Sequence, residues 1–192
     1  TLVKYKEIPT LLRFSGIFSE IFLITAILFL GFKEKDFRMD KEAFSYLGIN
    51  KKTQKTFNIV LIIYSFIRLI FLTNVINELS LWKNFLIVFC TIGGPLLLIL
   101  VSFVPWDQNK TIHNLFAYGM TIFSVVFIIF FGLFFLSKNL IFSLVSFIIV
   151  ISMSLSTLYV FLKNKVTGYF QTFFFINCMI WDWLITFYLF KH

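Results

Sequence analysis

The sequence predicts an all-α fold, a polytopic transmembrane helical bundle with six spans. Three observations carry this. Of 192 residues, 59% are hydrophobic and only 14% charged, whereas a soluble domain is about 45–50% apolar and about 25% charged. The apolar residues gather into six runs, each close to the ~20 residues that cross a bilayer as a helix. These runs are continuously apolar. A β-barrel strand would alternate, and no other structure satisfies its backbone in lipid.

The length suits one domain, and the six spans use up almost all of it. No soluble catalytic domain fits beside them, so any activity belongs to the spans and their connections. After a polar start, Thr1 to Thr10, the first span is expected near residues 11–32. It is as long as a full span and lacks a small-residue cleavage site, so it reads as a retained helix rather than a removable signal. Residues 33–56 form the longest loop and the only charge-dense one. The second span is expected near 57–79 and the third near 84–104, with Trp82 and Trp106 at headgroup depth. Inside the third, Gly93-Gly94-Pro95 should loosen or kink the helix, because proline removes a donor and clashes one turn back. A polar connection, Pro105 to Thr111, leads to the fourth span near 112–136. The fifth is expected near 140–162 and the sixth near 168–190. No internal repeat is visible.

The net charge is +8, from 17 Lys and Arg against 9 Asp and Glu. In a soluble chain such an excess would suggest nucleic acid. Here it points to cytoplasmic loops and anionic headgroups. The expected partners are membrane lipids and other membrane-embedded chains, in homo- or hetero-oligomers, with nucleic acid excluded. Six spans put both termini on one side. Arg13, Lys4, Lys6, Lys83, Lys138 and Lys191 share that side. Lys33, Lys35, Arg38, Lys41, Lys51, Lys52, Lys55, Lys110, Lys163 and Lys165 lie on the other. The positive-inside rule then places loop 33–56 in the cytoplasm.

Motifs of soluble chemistry are absent. There is no G-x-S-x-G elbow, H-E-x-x-H, P-loop or G-x-G-x-x-G. With only His113 and His192 in the chain, a multi-histidine metal centre is not expected, and no cofactor is implied. Cys90 and Cys178 sit in apolar runs without C-x-x-C spacing and read as inert buried thiols. Asn109-Lys110-Thr111 is a formal glycosylation sequon.

The informative residues are polar groups at membrane depth. A charge at the centre of a span costs about 2.5–3.5 kcal/mol even on the lenient insertion scale, so such groups face the bundle interior and pair. Glu20, Arg68 and Asp182 fall in the terminus-side half of spans one, two and six, or near the midplane, and are expected to meet as an intramembrane polar cluster. The cluster would carry one net negative charge, which a proton or cation can neutralise. A salt bridge that only fixes packing is the simpler reading. Asn177 and Gln171 are expected to add hydrogen bonds in the sixth span, and Arg13 to snorkel at the terminus-side interface. On the opposite face, Asn58, Asp107 and His113 form a second polar group.

Ser45-Tyr46-Leu47-Gly48 after the first span, Phe57-Asn58 opening the second, Val104-Pro105 closing the third and His113 opening the fourth occur in an order that resembles the domain-of-unknown-function 998 family. These are six-span prokaryotic membrane proteins, distantly similar to the Frag1/DRAM/Sfk1 group. The likeness covers roughly Ser45 to Gly132. Where the family often carries an acidic residue, this chain has Tyr46. The resemblance implies a compact six-helix bundle in a prokaryotic cell membrane, with a marked face made by the first and third loops. It implies no reaction, tilts the reading toward lipids, and implies that the first loop lies outside, against the charge count.

Three functional readings follow. The first is a non-enzymatic membrane protein that interacts with lipid or serves as an accessory, partner-binding subunit. The second is a small proton- or cation-coupled transporter or channel built on Glu20, Arg68 and Asp182. The third is an intramembrane lipid-modifying enzyme using His113 with Asp107.

Overall fold

The computed structural model of the chain describes residues 10–163 and 165–191. Lys4, Lys6 and His192 lie outside them. Six helices are long and apolar enough to cross a membrane, and the protein is an integral, multi-pass membrane bundle. They are α1 (Thr10–Lys33), α2 (Gln54–Glu78), α3 (Phe85–Phe103), α4 (Lys110–Phe135), α5 (Leu140–Lys163) and α6 (Gly168–Lys191). At 1.5 Å per residue, α3 with its 19 residues is about 28 Å long, close to the ~30 Å hydrocarbon thickness, and the others exceed it.

The helix starts are written locally. Asn84 and Asn109 immediately precede α3 and α4, and their side-chain oxygens accept from Ile87 N (3.3 Å) and Ile112 N (3.1 Å). Asn139 does the same for Phe142 N at 3.1 Å. Each satisfies one of the orphan amides of a first turn. The sequon asparagine is therefore a helix cap. The end of α2 is a Schellman motif: Leu81 N bonds Ile76 O, Ser80 N bonds Asn77 O, and Ser80 has φ 55°.

Short connections make consecutive helices antiparallel neighbours. Each helix packs on the next in sequence, and α6 returns to α1, closing a ring. Large apolar side chains that the ring leaves outside, such as Phe18, Phe32, Phe66, Ile148 and Phe187, stay exposed, as expected for a surface bathed in lipid. Close approach of α3 and α4 depends on Gly93, where a Cβ would lie 2.5 Å from Phe123 Cε2.

The two halves of the ring are filled differently. Toward the termini, Phe127, Phe131, Phe135, Phe142, Trp181 and Tyr188 form one aromatic cluster of edge-to-face and tilted pairs, with centroids 4.1 to 6.4 Å apart. There Ser143 Oγ also donates to Gly132 O, joining α5 to α4 at 2.7 Å. Toward the long loop, Phe44, Tyr64 and Phe174 each meet Phe175, with centroids 5.6 to 6.4 Å apart, and beside these rings a cavity remains.

The charged loop is partly built. Phe44–Gly48 forms a 3-10 turn, held by Thr53 Oγ1 donating to Leu47 O at 2.7 Å. Gly168 N and Tyr169 N, the first amides of α6, donate to Glu42 O (2.7 Å) and Met39 O (3.1 Å). The loop thereby caps the sixth helix and lies across the end of the bundle.

Candidate functional site

Two polar features stand inside the ring. The first is the intramembrane cluster. Glu20 lies 13 residues before the loop end of α1, and Arg68 and Asp182 each 14 residues after the loop ends of α2 and α6. Helical rise puts all three about 20 Å from that end, and the structure brings them together. Arg68 Nη1 is ion-paired with Asp182 Oδ2 and lies 3.5 Å from Glu20 Oε1. Tyr64, one turn before Arg68 and unforeseen from the sequence, donates its hydroxyl to Glu20 Oε1 at 2.7 Å. Both carboxylates are wholly buried. Glu20 Oε2 and Asp182 Oδ1 have no hydrogen-bond partner among the described residues. The Arg68 guanidinium also lies 5.7 Å from the Phe71 ring centroid. A small cavity of about 30 Å³ touches the cluster at Tyr64, Arg68 and Cys178.

The second feature is the cavity at the loop end, about 140 Å³ in volume. Its deep walls are apolar: Ile27, Leu61, Leu98, Met120, Phe174 and Phe175. Of its polar lining groups, Ser45, His113, Asn114 and Gln171 sit near the loop end, whereas Thr157 and Thr121 lie deeper and donate to carbonyls of their own helices, Met153 O and Ala117 O. Tyr118, also on the lining, is 43% exposed, so on that side the cavity is bounded by a ring that also faces the outside of the bundle. Leu98, Met120, Phe174 and Phe175 border the small inner cavity too. These four side chains are the floor between the loop-end cavity and the buried ion cluster.

His113 and Gln171 are each the fourth residue of their helices, α4 and α6, both of which start at the loop end. They therefore stand at similar height. His113 Nδ1 lies 2.7 Å from Val104 O. A carbonyl only accepts, so Nδ1 carries the proton and Nε2 is left over. Gln171 Oε1 accepts from Phe44 N at 2.6 Å, which fixes the amide orientation and leaves its NH2 over.

The loop-face polar group does not assemble. His113 is buried on the cavity, but its ring is held by Val104 rather than by Asp107, which is exposed. Asn58 is half-buried against the 3-10 turn, where a Cβ on Gly48 would lie 3.8 Å from its Oδ1. No hydrogen bond or ion pair joins Asn58, Asp107 and His113 among the described residues.

Other polar residues also find specific places. Arg13 is an inter-helix pair rather than a free snorkel: its Nε lies 3.0 Å from Glu78 Oε1 and its Nη1 donates to Leu189 O at 3.1 Å. Thr186 Oγ1 donates back to Arg13 O at 3.0 Å, tying α1, α2 and α6 at the terminus end. Asn177 donates to Phe173 O of its own helix, whereas Gln171 bridges to the loop. Cys90 and Cys178 are free and buried. In the loop, the hydrogen bonds from Arg38 (3.2 and 2.8 Å) hold the Asp40 carboxyl below the usual carboxylate range. Among the described residues, no group of three or more His, Cys, Asp or Glu side chains is placed to hold a metal ion. No family model, no curated protein and no solved structure matches the chain.

Proposed function

We propose that this is a non-enzymatic membrane protein that binds lipid in the loop-end cavity. The observation that carries the reading is the cavity itself, with walls toward the midplane that are apolar apart from two threonines bonded to their own helices, and with His113, Asn114 and Gln171 near the membrane end. That gradient runs the same way as an amphiphile in one leaflet, chain inward and head outward. By volume, an apolar cavity of ~150 Å³ takes one benzene, so the site accommodates a segment of a chain rather than a whole phospholipid. The resemblance to the domain-of-unknown-function 998 family belongs to the same proposal. Of the residues that carry that resemblance, Ser45, Phe57 and His113 border this one cavity. Native mass spectrometry in mild detergent tests the reading: retained lipid is expected, and Ala117→Trp, which fills the cavity, should abolish it. A bare chain with neither lipid nor partner protein would overturn it.

A second reading, proton- or cation-coupled transport, is favoured by one observation. The cluster of two acids and one arginine has two buried carboxylate oxygens without hydrogen-bond partners among the described residues and adjoins a cavity with room for about one or two waters. It predicts that Glu20→Gln or Asp182→Asn abolishes pH-dependent flux in proteoliposomes. Full flux in both variants would sink it.

A further inference from the structure

We propose that the loop-end cavity selects an uncharged, hydroxyl-bearing amphiphile, such as a long-chain alcohol or a monoacylglycerol. The proposal rests on the lipid-binding reading and specifies its head-group chemistry.

Among the described residues, the lining contains no Asp, Glu, Lys or Arg. The cation of Lys110 is engaged over the Trp106 ring, 5.1 Å from its centroid, and Lys110 is not a lining residue. A phosphate, carboxylate or ammonium brought into this site would lose its hydration without gaining a counter-charge, which is strongly unfavourable. An uncharged head pays no such penalty.

Two lining groups define what that head must offer. In its singly protonated form the His113 ring, with its Nδ1 proton committed to Val104 O, presents Nε2 as an acceptor. Gln171, with its oxygen committed to Phe44 N, presents NH2 as a donor. One acceptor and one donor at similar height on the lining match a hydroxyl, which is both. Below them lie Leu61, Leu98, Met120 and Phe174, an apolar floor suited to the first carbons of the chain. The volume holds about six to eight non-hydrogen atoms by comparison with benzene in ~150 Å³, so the rest of the chain leaves past Tyr118 toward the bilayer.

The test is native mass spectrometry and equilibrium binding on the full chain in detergent with probes of one chain length: oleyl alcohol, monoolein, oleyl methyl ether, oleate and oleoyl lysophosphatidate. The alcohol and monoolein should bind at least about tenfold more tightly than the two anions, and the ether, which lacks the donor, about fivefold more weakly than the alcohol. His113→Asn retains a donor for Val104 O but removes the acceptor. Gln171→Glu retains the acceptor for Phe44 N but removes the donor. Each should weaken alcohol binding about fivefold or more; His113→Asn should do so at an unchanged melting temperature, whereas Gln171→Glu, which places a carboxylate without a counter-charge on the cavity, should also lower the melting temperature. Anions that bind as tightly as the alcohol would overturn the head-group assignment while leaving lipid binding standing. Unchanged alcohol affinity in both variants would overturn the roles of His113 and Gln171. No binding by any probe would overturn the lipid-binding reading itself.

Discussion

Arg68 is the residue on which the interior charge balance turns. Its guanidinium serves two fully buried carboxylates at once. Removing one partner of a buried ion pair typically costs about 3–5 kcal/mol, whereas replacing the whole group by apolar residues is often neutral. Arg68→Leu should therefore lower the melting temperature in detergent sharply, and the triple variant Glu20→Leu, Arg68→Leu, Asp182→Leu should restore most of it. A triple variant that folds yet loses pH-dependent flux would separate function from packing; one that stays as unstable as Arg68→Leu would contradict this account. Tyr64→Phe removes one inter-helix hydrogen bond, a loss of about 0.6–1.7 kcal/mol in a membrane protein, read from the same melting curves. The three charged members of this cluster were legible in the sequence because an ionisable residue in an apolar run has so few places to go. Tyr64 was not, since a tyrosine in a span is equally at home against lipid.

At the level of single elements, the starts and ends of the helices follow local chemistry. The asparagines before α3, α4 and α5 cap them directly, and such caps are readable without a fold. The end of α2 is less ordinary, because Ser80 sits in the left-handed region that non-glycine residues avoid. Ser80→Val, β-branched at that φ, should destabilise by about 1–2 kcal/mol, measured by thermal melting. In α3, where Gly93-Gly94-Pro95 is expected to loosen or kink the helix, the helix continues through Pro95 to Phe103. Gly93 instead lets Phe123 of α4 approach. Gly93→Ala should cost about 1–3 kcal/mol by overpacking, and an unchanged melting temperature would show that the ring moves aside freely.

Across the whole molecule, the ring is solid at one end and hollow at the other. The aromatic cluster fills the terminus half, and the cavity occupies the loop half beneath a loop that caps α6. Local stability follows contact density. Backbone amides of residues 127–135 should therefore exchange with deuterium more slowly than those of residues 113–121 on the same helix. Comparable rates in the two segments would mean that the hollow half is no looser than the packed one. Of these two segments, bound amphiphile should slow exchange in 113–121 and not in 127–135.

By itself, the sequence determined that the chain is a six-helix membrane bundle and which charged residues its interior must accommodate. Both are consequences of transfer free energy, which depends on composition along the chain and not on neighbours. Only the tertiary structure decided that Tyr64 joins Glu20, that Arg13 pairs with Glu78, and that Asn58 and Asp107 stay apart from His113. It also decided that Gln171 and His113 face one cavity. Those outcomes depend on the rotation of each helix about its axis. Spans that are apolar around most of their circumference leave that rotation unmarked until the helices pack.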